Sequence, residues 1–390
     1  MMAGYLLARS GVEVIVLEKH KDFFRDFRGD TIHPSTFEII YELGFLDEFL
    51  QIPHQEIKTL GARYNGTFLT LADFSHLSVA KPALGLMPQW DFLNFLREKA
   101  KQLKNFRVLM ETKFSDLVIE EEKVKGVIAD TNNGSIIIRA GLVIGADGRD
   151  SSVREKAGLK VISKGVPIDV LWFKLSKQSV DPDQTLGNFT YGKLLVMLDR
   201  NDYWQCGYII SKGGFEELKE KGIQFFKNEL TEVAPFLGNR MTELKDWEQV
   251  RLLTVTIDYL EKWHRPGLLC IGDAAHAMSP IGGVGINLAL QDAVATANLL
   301  YRSLLHDGFA STQTLSNVQK RRTFPVRVTQ TLQIIIQKAI VSGRTKTKKT
   351  QKPPFIMRML NRWPFLRRLP AGLIGIGIRP EHIKTPGTLS

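Results

Sequence analysis

Residues 267–300 read GLLCIGDAAHAMSPIGGVGINLALQDAVATANLL, and this stretch decides the fold. Leu268 to Ile271 form an apolar strand that ends on Gly272-Asp273. A loop with Pro280, Gly282, Gly283 and Gly285 follows, and a long helical run opens near Ile286 and Asn287. A carboxylate at a strand end accepts hydrogen bonds from hydroxyl groups. Glycines let a large flat group approach bare main chain, and a helix N-terminus offers unpaired N–H groups to an electron-rich edge. Strand, acidic turn, glycines and helix start therefore form a place where a polar cofactor meets backbone.

The N-terminus supplies a second piece of the same kind. Residues 2–10 predict a helix stopped by Gly11, followed by the β-branched strand Val12 to Leu17 and then Glu18. Helix, glycine, strand and terminal acid match the second half of a βαβ dinucleotide-binding unit, with Glu18 where the ribose-binding carboxylate belongs. Gly4 and Gly11 keep the separation of the two small residues that follow a G-x-G-x-x-G turn. The first strand and that turn are expected just upstream of Met1, roughly fifteen residues.

Between these ends the chain alternates. Ser35 reads as the cap of a helix over 36–43, with Glu38 three residues on and Gly44 as its stop. Short β-like pieces run from Ile57 to Leu86, and Gln89 precedes a helix over 91–103. Strands are expected at 106–110, 124–130, 135–139 and 142–146, the last ending at Asp147-Gly148. Further strands fall at 170–175, 194–199, 204–210 and 252–256, with a helix around 215–228. These read as an antiparallel α+β domain inserted into a cofactor domain. The expected division is 1–160 with 261–305 for the cofactor, about 57–86 with 161–260 for a substrate-binding sheet, and 306–390 for C-terminal helices.

Composition narrows the function classes. The chain has 390 residues, 44% of them hydrophobic, and only two cysteines, Cys206 and Cys270, so a disulfide framework and a cysteine-based metal site are excluded. No run of about 18 apolar residues and no secretory leader pattern is seen, and a cytoplasmic location is expected. The net charge of +11 is a C-terminal property: residues 308–390 hold 16 Lys/Arg and one acid, whereas 1–307 hold 36 bases and 40 acids. A slightly acidic body argues against nucleic acid as a partner.

Four separated segments resemble the single-component flavin-dependent aromatic-ring hydroxylases, the family that includes p-hydroxybenzoate hydroxylase and the ubiquinone-biosynthesis hydroxylases. They are the Gly4, Gly11, Glu18 segment; the run Asp147-Gly148-Arg149-Asp150-Ser151-Ser152-Val153-Arg154, similar to that family's D-G-x-x-S-x-x-R motif; Gly272-Asp273 with its loop; and the positions of Arg28 and Gln89. The resemblance implies an α/β Rossmann-like FAD-binding domain, FAD as cofactor and NADPH or NADH as co-substrate. By the same resemblance Glu18 binds the adenosine ribose, Arg28 the pyrophosphate or the nicotinamide cofactor, and Gln89 the FAD. Asp147, Gly148 and Arg154 serve FAD and nicotinamide binding, with Arg149 beside them. Gly272 and Asp273 hold the ribityl hydroxyls. Pro280 stands beside the flavin ring where oxygen reacts, and Gly283, Gly285, Ile286 and Asn287 present the helix N-terminus to the flavin edge. The family's reaction passes through a flavin hydroperoxide that gives one oxygen atom of dioxygen to an aromatic or hydrophobic small molecule.

On the substrate side the strand over 202–210 presents either Trp204, Cys206 and Tyr208 or Tyr203, Gln205 and Gly207. Trp204 is the catalytic-side candidate, Trp172 is a second wall, and His276 reads as structural. A flavin halogenase or isoprenoid reductase shares this framework, and an inactive remnant is the non-enzyme alternative; the halogenase segment W-x-W-x-I-P is absent. A second tail helix is expected over 327–341 and a basic linker with Lys346, Lys348, Lys349 and Lys352 after it. Residues 355–378 then mix apolar groups with Arg358, Arg362, Arg367 and Arg368. Such a stretch either lies on an anionic membrane surface or packs back on the body.

Overall fold

The computed structural model describes residues 1–24, 30–182, 186–190, 192–200, 202–342 and 353–387. Arg28 and the basic linker lysines lie outside the described residues.

The chain opens with α1 (Met2–Arg9) and β1 (Val14–Leu17), turned by Gly11 at φ 94°. Next come β2 (Thr31–Ile32), α2 (Pro34–Glu42), α3 (Leu46–Phe49), β3 (Gln55–Ile57), β4 (Thr59–Tyr64), β5 (Thr67–Asp73), β6 (Leu84–Leu86) and α4 (Gln89–Ala100). A run of strands follows: β7 (Phe106–Leu109), β8 (Lys113–Glu120), β9 (Lys123–Thr131), β10 (Gly134–Arg139) and β11 (Val143–Gly145). Then α5 (Ser152–Lys156) leads to β12 (Val161–Lys164), β13 (Ile168–Ser176), β14 (Leu186–Thr190), β15 (Lys193–Asp199) and β16 (Tyr203–Ser211). The helices α6 (Phe215–Glu220) and α7 (Ile223–Val233) precede β17 (Arg251–Leu253), β18 (Ile257–Leu260), β19 (His264–Arg265) and β20 (Leu268–Cys270). Among the described residues the chain finishes with α8 (Gly285–His306), α9 (Thr312–Ser342), α10 (Phe355–Arg362) and α11 (Arg368–Gly375).

Parallel pairing marks the cofactor-side layer. β1 pairs with β7, and β11 pairs with β20 in register Val143↔Leu268 to Gly145↔Cys270. Helices α1, α2, α4 and α8 pack over it around Leu6, Phe37, Ile40, Phe92, Leu96 and Val294. Gly4 is needed for this contact, since a Cβ there would meet Val16, Phe106 and Val14 side chains at 3.0–3.2 Å. The second layer is a seven-stranded sheet in the order β17-β13-β16-β15-β14-β4-β5, antiparallel except where β14 runs parallel to β4.

Several expectations need correction. The helix expected from Thr36 starts at Pro34, its cap position is His33 and no side chain caps it; Ser35 instead bonds Asn287, and Glu38 accepts from the Ala80 N–H. Of the β-like pieces between 57 and 86 only β4 and β5 join the large sheet, while β6 lies between β2 and β3 in a separate three-stranded sheet. The polar strand β8 was not expected, because its apolar residues do not alternate cleanly with polar ones. The helix expected at 215–228 is two helices, broken at Gly222 with φ 86°. The helix expected at 327–341 begins fifteen residues earlier, at Thr312, and runs through Pro325. Proline lacks the N–H of an interior turn and normally marks a helix boundary, which is why the sequence concealed the continuity.

Candidate functional site

The two acidic turns lie together because their strands are parallel neighbours. Gly145 and Cys270 are in register, so the chain leaves both strands at the same sheet edge, where open α/β sheets bind ligands. There Arg149 Nη2 lies 3.9 Å from Asp273 Oδ2. Both side chains are about one-third exposed, and Arg149 Nη1 is a buried donor without a hydrogen-bond partner among the described residues. Gly148 has φ 90° and a Cβ there would meet nothing within 4 Å, so the backbone stands open beside them.

The Asp147 carboxylate belongs to the turn itself. It accepts from Ser151 Oγ at 2.5 Å and from the Val153 N–H at 3.1 Å, while Ser151 Oγ caps α5 by accepting from the Arg154 N–H at 3.0 Å. Arg154 corrects its expected role. Its guanidinium is turned inward, paired with Asp258 at 3.5 Å and donating to the Ala274 and Arg149 carbonyls, and its side chain is 11% exposed. It locks the two acidic turns together and does not reach out to a nicotinamide phosphate.

The glycine loop completes the cradle. Pro280 leads into the turn Ile281–Gly283, with Gly282 at φ 82° and Gly283 at φ 63°. A Cβ on Gly283 would press on Thr31, whereas one on Gly285 would meet only Asp273 Oδ1 at 3.9 Å. Helix α8 starts at Gly285 with no side-chain cap, so its first-turn N–H groups face the open side. The Asn287 side chain is buried and points away, its Oδ1 accepting from Ser35 Oγ at 2.6 Å and Thr36 Oγ1 at 3.3 Å; only its backbone is offered to a ligand. Ile286 is partly buried against the core. Glu18, at the end of β1, accepts from the His20 N–H at 3.0 Å, and Gln89 is the first residue of α4. Gly11 serves a turn against Leu305 and Gly4 the helix–strand contact.

An open glycine backbone, an uncapped 22-residue helix and a donor–acceptor pair at one sheet edge fit the isoalloxazine and ribityl parts of FAD.

Behind the cradle, buried charges fix its shape. Asp292 of α8 accepts from the Gly272 N–H at 3.0 Å, faces His276 Nε2 at 2.5 Å and accepts from Arg322 Nε at 2.8 Å. Burial alone would raise the Asp292 pKa, but His276 and Arg322 hold it below the usual carboxylate value. His33 ties the tail to the loop, with its Nδ1 2.7 Å from the Ile374 carbonyl and its Nε2 3.0 Å from the Gly283 carbonyl. Asp292, Arg322 and His33 were missed by sequence reasoning. The only signal was a charged or polar residue at a buried helical spacing.

Cross-strand register resolves the substrate side. Trp204, Cys206 and Tyr208 share a face with Phe173, Leu195 and Met197, packed under α6 and α7. Trp204 is fully buried there and donates from Nε1 to Asp181 Oδ2 at 2.8 Å, which corrects its placement as a catalytic-side residue. The opposite face carries Gln205, Gly207, Trp172, Val196, Leu194 and Phe189, and the cluster around Trp172, Val196 and Phe189 includes Ile281 of the glycine loop. Gly207 makes room for the Trp172 ring, whose atoms would lie 3.1–3.4 Å from a Cβ at that position. Arg200 bonds Gln205 at 3.0 Å and pairs with Asp30, joining the sheet to the cofactor layer. Both cysteine thiols are buried and shifted upward, Cys270 to about 12, so neither is poised as a nucleophile.

The comparisons with known proteins agree with this geometry. The model of the FAD binding domain family matches residues 1–331. The 6-methylpretetramide 4-monooxygenase of Streptomyces rimosus is 32% identical over 303 residues, covering 77% of this chain and 72% of the relative. The 3-demethoxyubiquinol 3-hydroxylase of Escherichia coli is 28% identical over 191 residues, 48% of each chain. Among solved structures, Pseudomonas aeruginosa PqsL in complex with 2-aminobenzoylacetate superposes with a TM-score of 0.75 at 21% identity, covering 88% of this chain and 94% of that one.

Proposed function

This chain belongs to the FAD binding domain family as a flavin-dependent monooxygenase, and we propose that it uses NADPH or NADH and dioxygen to hydroxylate a flat aromatic or lipophilic small molecule. The observation that carries the reading is the placement of Ile281, in the glycine loop, against the sheet face bearing Trp172, Phe189 and Val196. Gly285, at the start of α8, follows this loop, so a flavin held there would have an apolar, aromatic wall nearby.

When bound, FAD supplies the chemistry, accepting two electrons from the nicotinamide and activating dioxygen for transfer of one oxygen atom. The protein's part is binding, orientation and exclusion of water. Asp273 would accept from the ribityl hydroxyls with Arg149 beside it, Glu18 would bind the adenosine ribose, and Gln89 would bond to the FAD. Arg28 is proposed for the pyrophosphate or the nicotinamide on its resemblance alone, since it lies outside the described residues. The first-turn N–H groups of Gly285, Ile286 and Asn287 are the positive end of a helix and would stabilise negative charge on a flavin bound there. Pro280 lines the oxygen-reacting side. The cofactor-binding residues form the division 1–160 with 261–305 proposed for that domain.

The relatives' names support an organic small molecule as substrate: a 6-methylpretetramide 4-monooxygenase and a 3-demethoxyubiquinol 3-hydroxylase. A halogenase or reductase remains the competing activity on this fold. Steady-state NADPH oxidation by the flavin-loaded chain decides it: stimulation by an aromatic substrate with stoichiometric hydroxylated product supports the reading, and chloride-dependent product overturns it.

A lipid surface is the second partner we propose. Helices α10 and α11 pack on β5 through one side, with Ala371 buried and Gly375 against Phe74 and Leu77. Their other side leaves Phe355, Ile356, Trp363, Phe365 and Leu369 exposed among Arg358, Arg362 and Arg368. Among the described residues no helix is long and apolar enough to cross a membrane, so the contact is peripheral.

A further inference from the structure

Where the tail crosses α9, the chain gathers positive charge. Helix α9 carries the run Lys320-Arg321-Arg322, and the tail beyond α11 brings Arg379 and Glu381 alongside it. Between them lies an open cleft of about 470 Å³ lined by Lys320, Arg321, Arg379 and Glu381. Neither the flavin cradle nor the substrate wall uses any of these residues.

The charges around the cleft do not cancel. Glu381 is buried and receives Arg321 Nε on both carboxylate oxygens, at 2.7 and 2.9 Å. Arg322 lies buried behind it, bonded to Asp292 at 2.8 Å, and its Nη1 reaches the Glu381 carboxylate and the Arg379 carbonyl, each at 3.5 Å. Asp292 and Glu381 thus balance Arg322 and Arg321. Lys320 and Arg379 are both exposed and have no ion-pair partner among the described residues. Four cations against two carboxylates leave a surplus of two positive charges at the cleft.

Two of the cations are also held in place. The buried Glu381 fixes Arg321 through Nε, so the terminal N–H groups of Arg321 are left for a ligand. The Arg379 guanidinium lies over the Phe324 ring, 4.5 Å from its centre. Guanidinium groups that are already positioned lose little freedom on binding, and their planar forks match the oxygens of a phosphate.

We infer that this cleft binds a phosphate group, with Arg321 and Arg379 as the forks and Lys320 as a point charge. Its surplus of two positive charges complements a phosphomonoester dianion. Glu381 serves the site by orienting Arg321. Soluble phosphate esters and the headgroup of phosphatidic acid share this chemistry.

The test titrates the full chain, loaded with FAD, with inorganic phosphate by calorimetry at constant ionic strength and about pH 8, where phosphate is a dianion. The unaltered chain is expected to bind in a single saturable step. Arg379→Gln is expected to keep its Tm, because the side chain is exposed, and to weaken phosphate about tenfold. Lys245→Gln removes the same charge from an exposed site before β17 and is expected to leave the affinity within about twofold. Absence of saturable binding by the unaltered chain, unchanged affinity in Arg379→Gln, or equal weakening by Lys245→Gln would overturn the site. Vesicles of phosphatidylcholine with phosphatidic acid separate the two sources. Retention that falls with Arg379→Gln assigns the phosphate to a lipid headgroup; unchanged retention beside weakened inorganic phosphate assigns it to a soluble ester.

Discussion

Asp292 and His276 face each other at 2.5 Å in the core, both almost wholly buried, directly beneath the turn that carries Asp273. The same carboxylate holds Arg322 and the Gly272 N–H, so one acid joins α8, α9 and the end of β20. Replacing it by asparagine leaves the buried Arg322 with only the more distant Glu381, at 3.5 Å, as counter-ion, which costs about 1–3 kcal/mol. Asp292→Asn is therefore expected to lower Tm at pH 7. Because the folded pKa of Asp292 lies below its unfolded value, its stabilisation is present above the unfolded pKa and fades as pH falls through the folded one. The Tm gap between variant and unaltered chain should narrow in acid; a gap that is constant from pH 7 to pH 3 contradicts the assignment.

Arg154 is a lock between the acidic turns. Arg154→Gln is expected to cost about 1–3 kcal/mol of stability through its partly buried pair with Asp258, and to loosen FAD binding by moving the Ala274 segment. A selective rise in KM for NADPH at unchanged Tm would restore the phosphate-binding role that the structure removes.

Two tryptophans on opposite faces of the sheet give a paired test. Trp172→Ala should raise the substrate KM and increase unproductive NADPH oxidation, because it removes part of the wall facing Ile281. Trp204→Phe should lower Tm and leave substrate KM alone, since its indole serves Asp181. Burial would raise the Asp181 pKa, but Arg240, the Gln178 N–H and Trp204 bring it to about 2. The opposite pattern of kinetic effects would reverse the assignment of faces.

The exposed tail helices predict vesicle binding. Sedimentation with vesicles of phosphatidylcholine and phosphatidylglycerol should retain the chain at low salt, and pure phosphatidylcholine should retain less. The double change Trp363→Ser with Phe365→Ser should reduce retention several-fold; binding that is indifferent to both lipid charge and these residues excludes this face.

The cofactor cradle was legible because each of its parts is local in sequence. An apolar strand, an acidic turn and a glycine loop before a helix announce themselves within 34 residues. The substrate side was legible only as two alternatives. Alternation says that Trp204 and Gln205 point opposite ways, but which face is covered by α6 and α7 depends on tertiary packing. Arg322 was hidden for a third reason. The helix was expected only from 327, and Pro325 concealed that it reaches back through Arg322 to Thr312.

The central claim is that the ends of β11 and β20 and the start of α8 hold FAD. It is tested most directly by the visible absorbance spectrum of the purified chain and of Asp273→Ala after reconstitution with FAD and gel filtration. The unaltered chain is predicted to keep about one flavin per chain, and Asp273→Ala to lose nearly all of it while retaining its far-UV circular dichroism. Full flavin retention by Asp273→Ala would contradict the account.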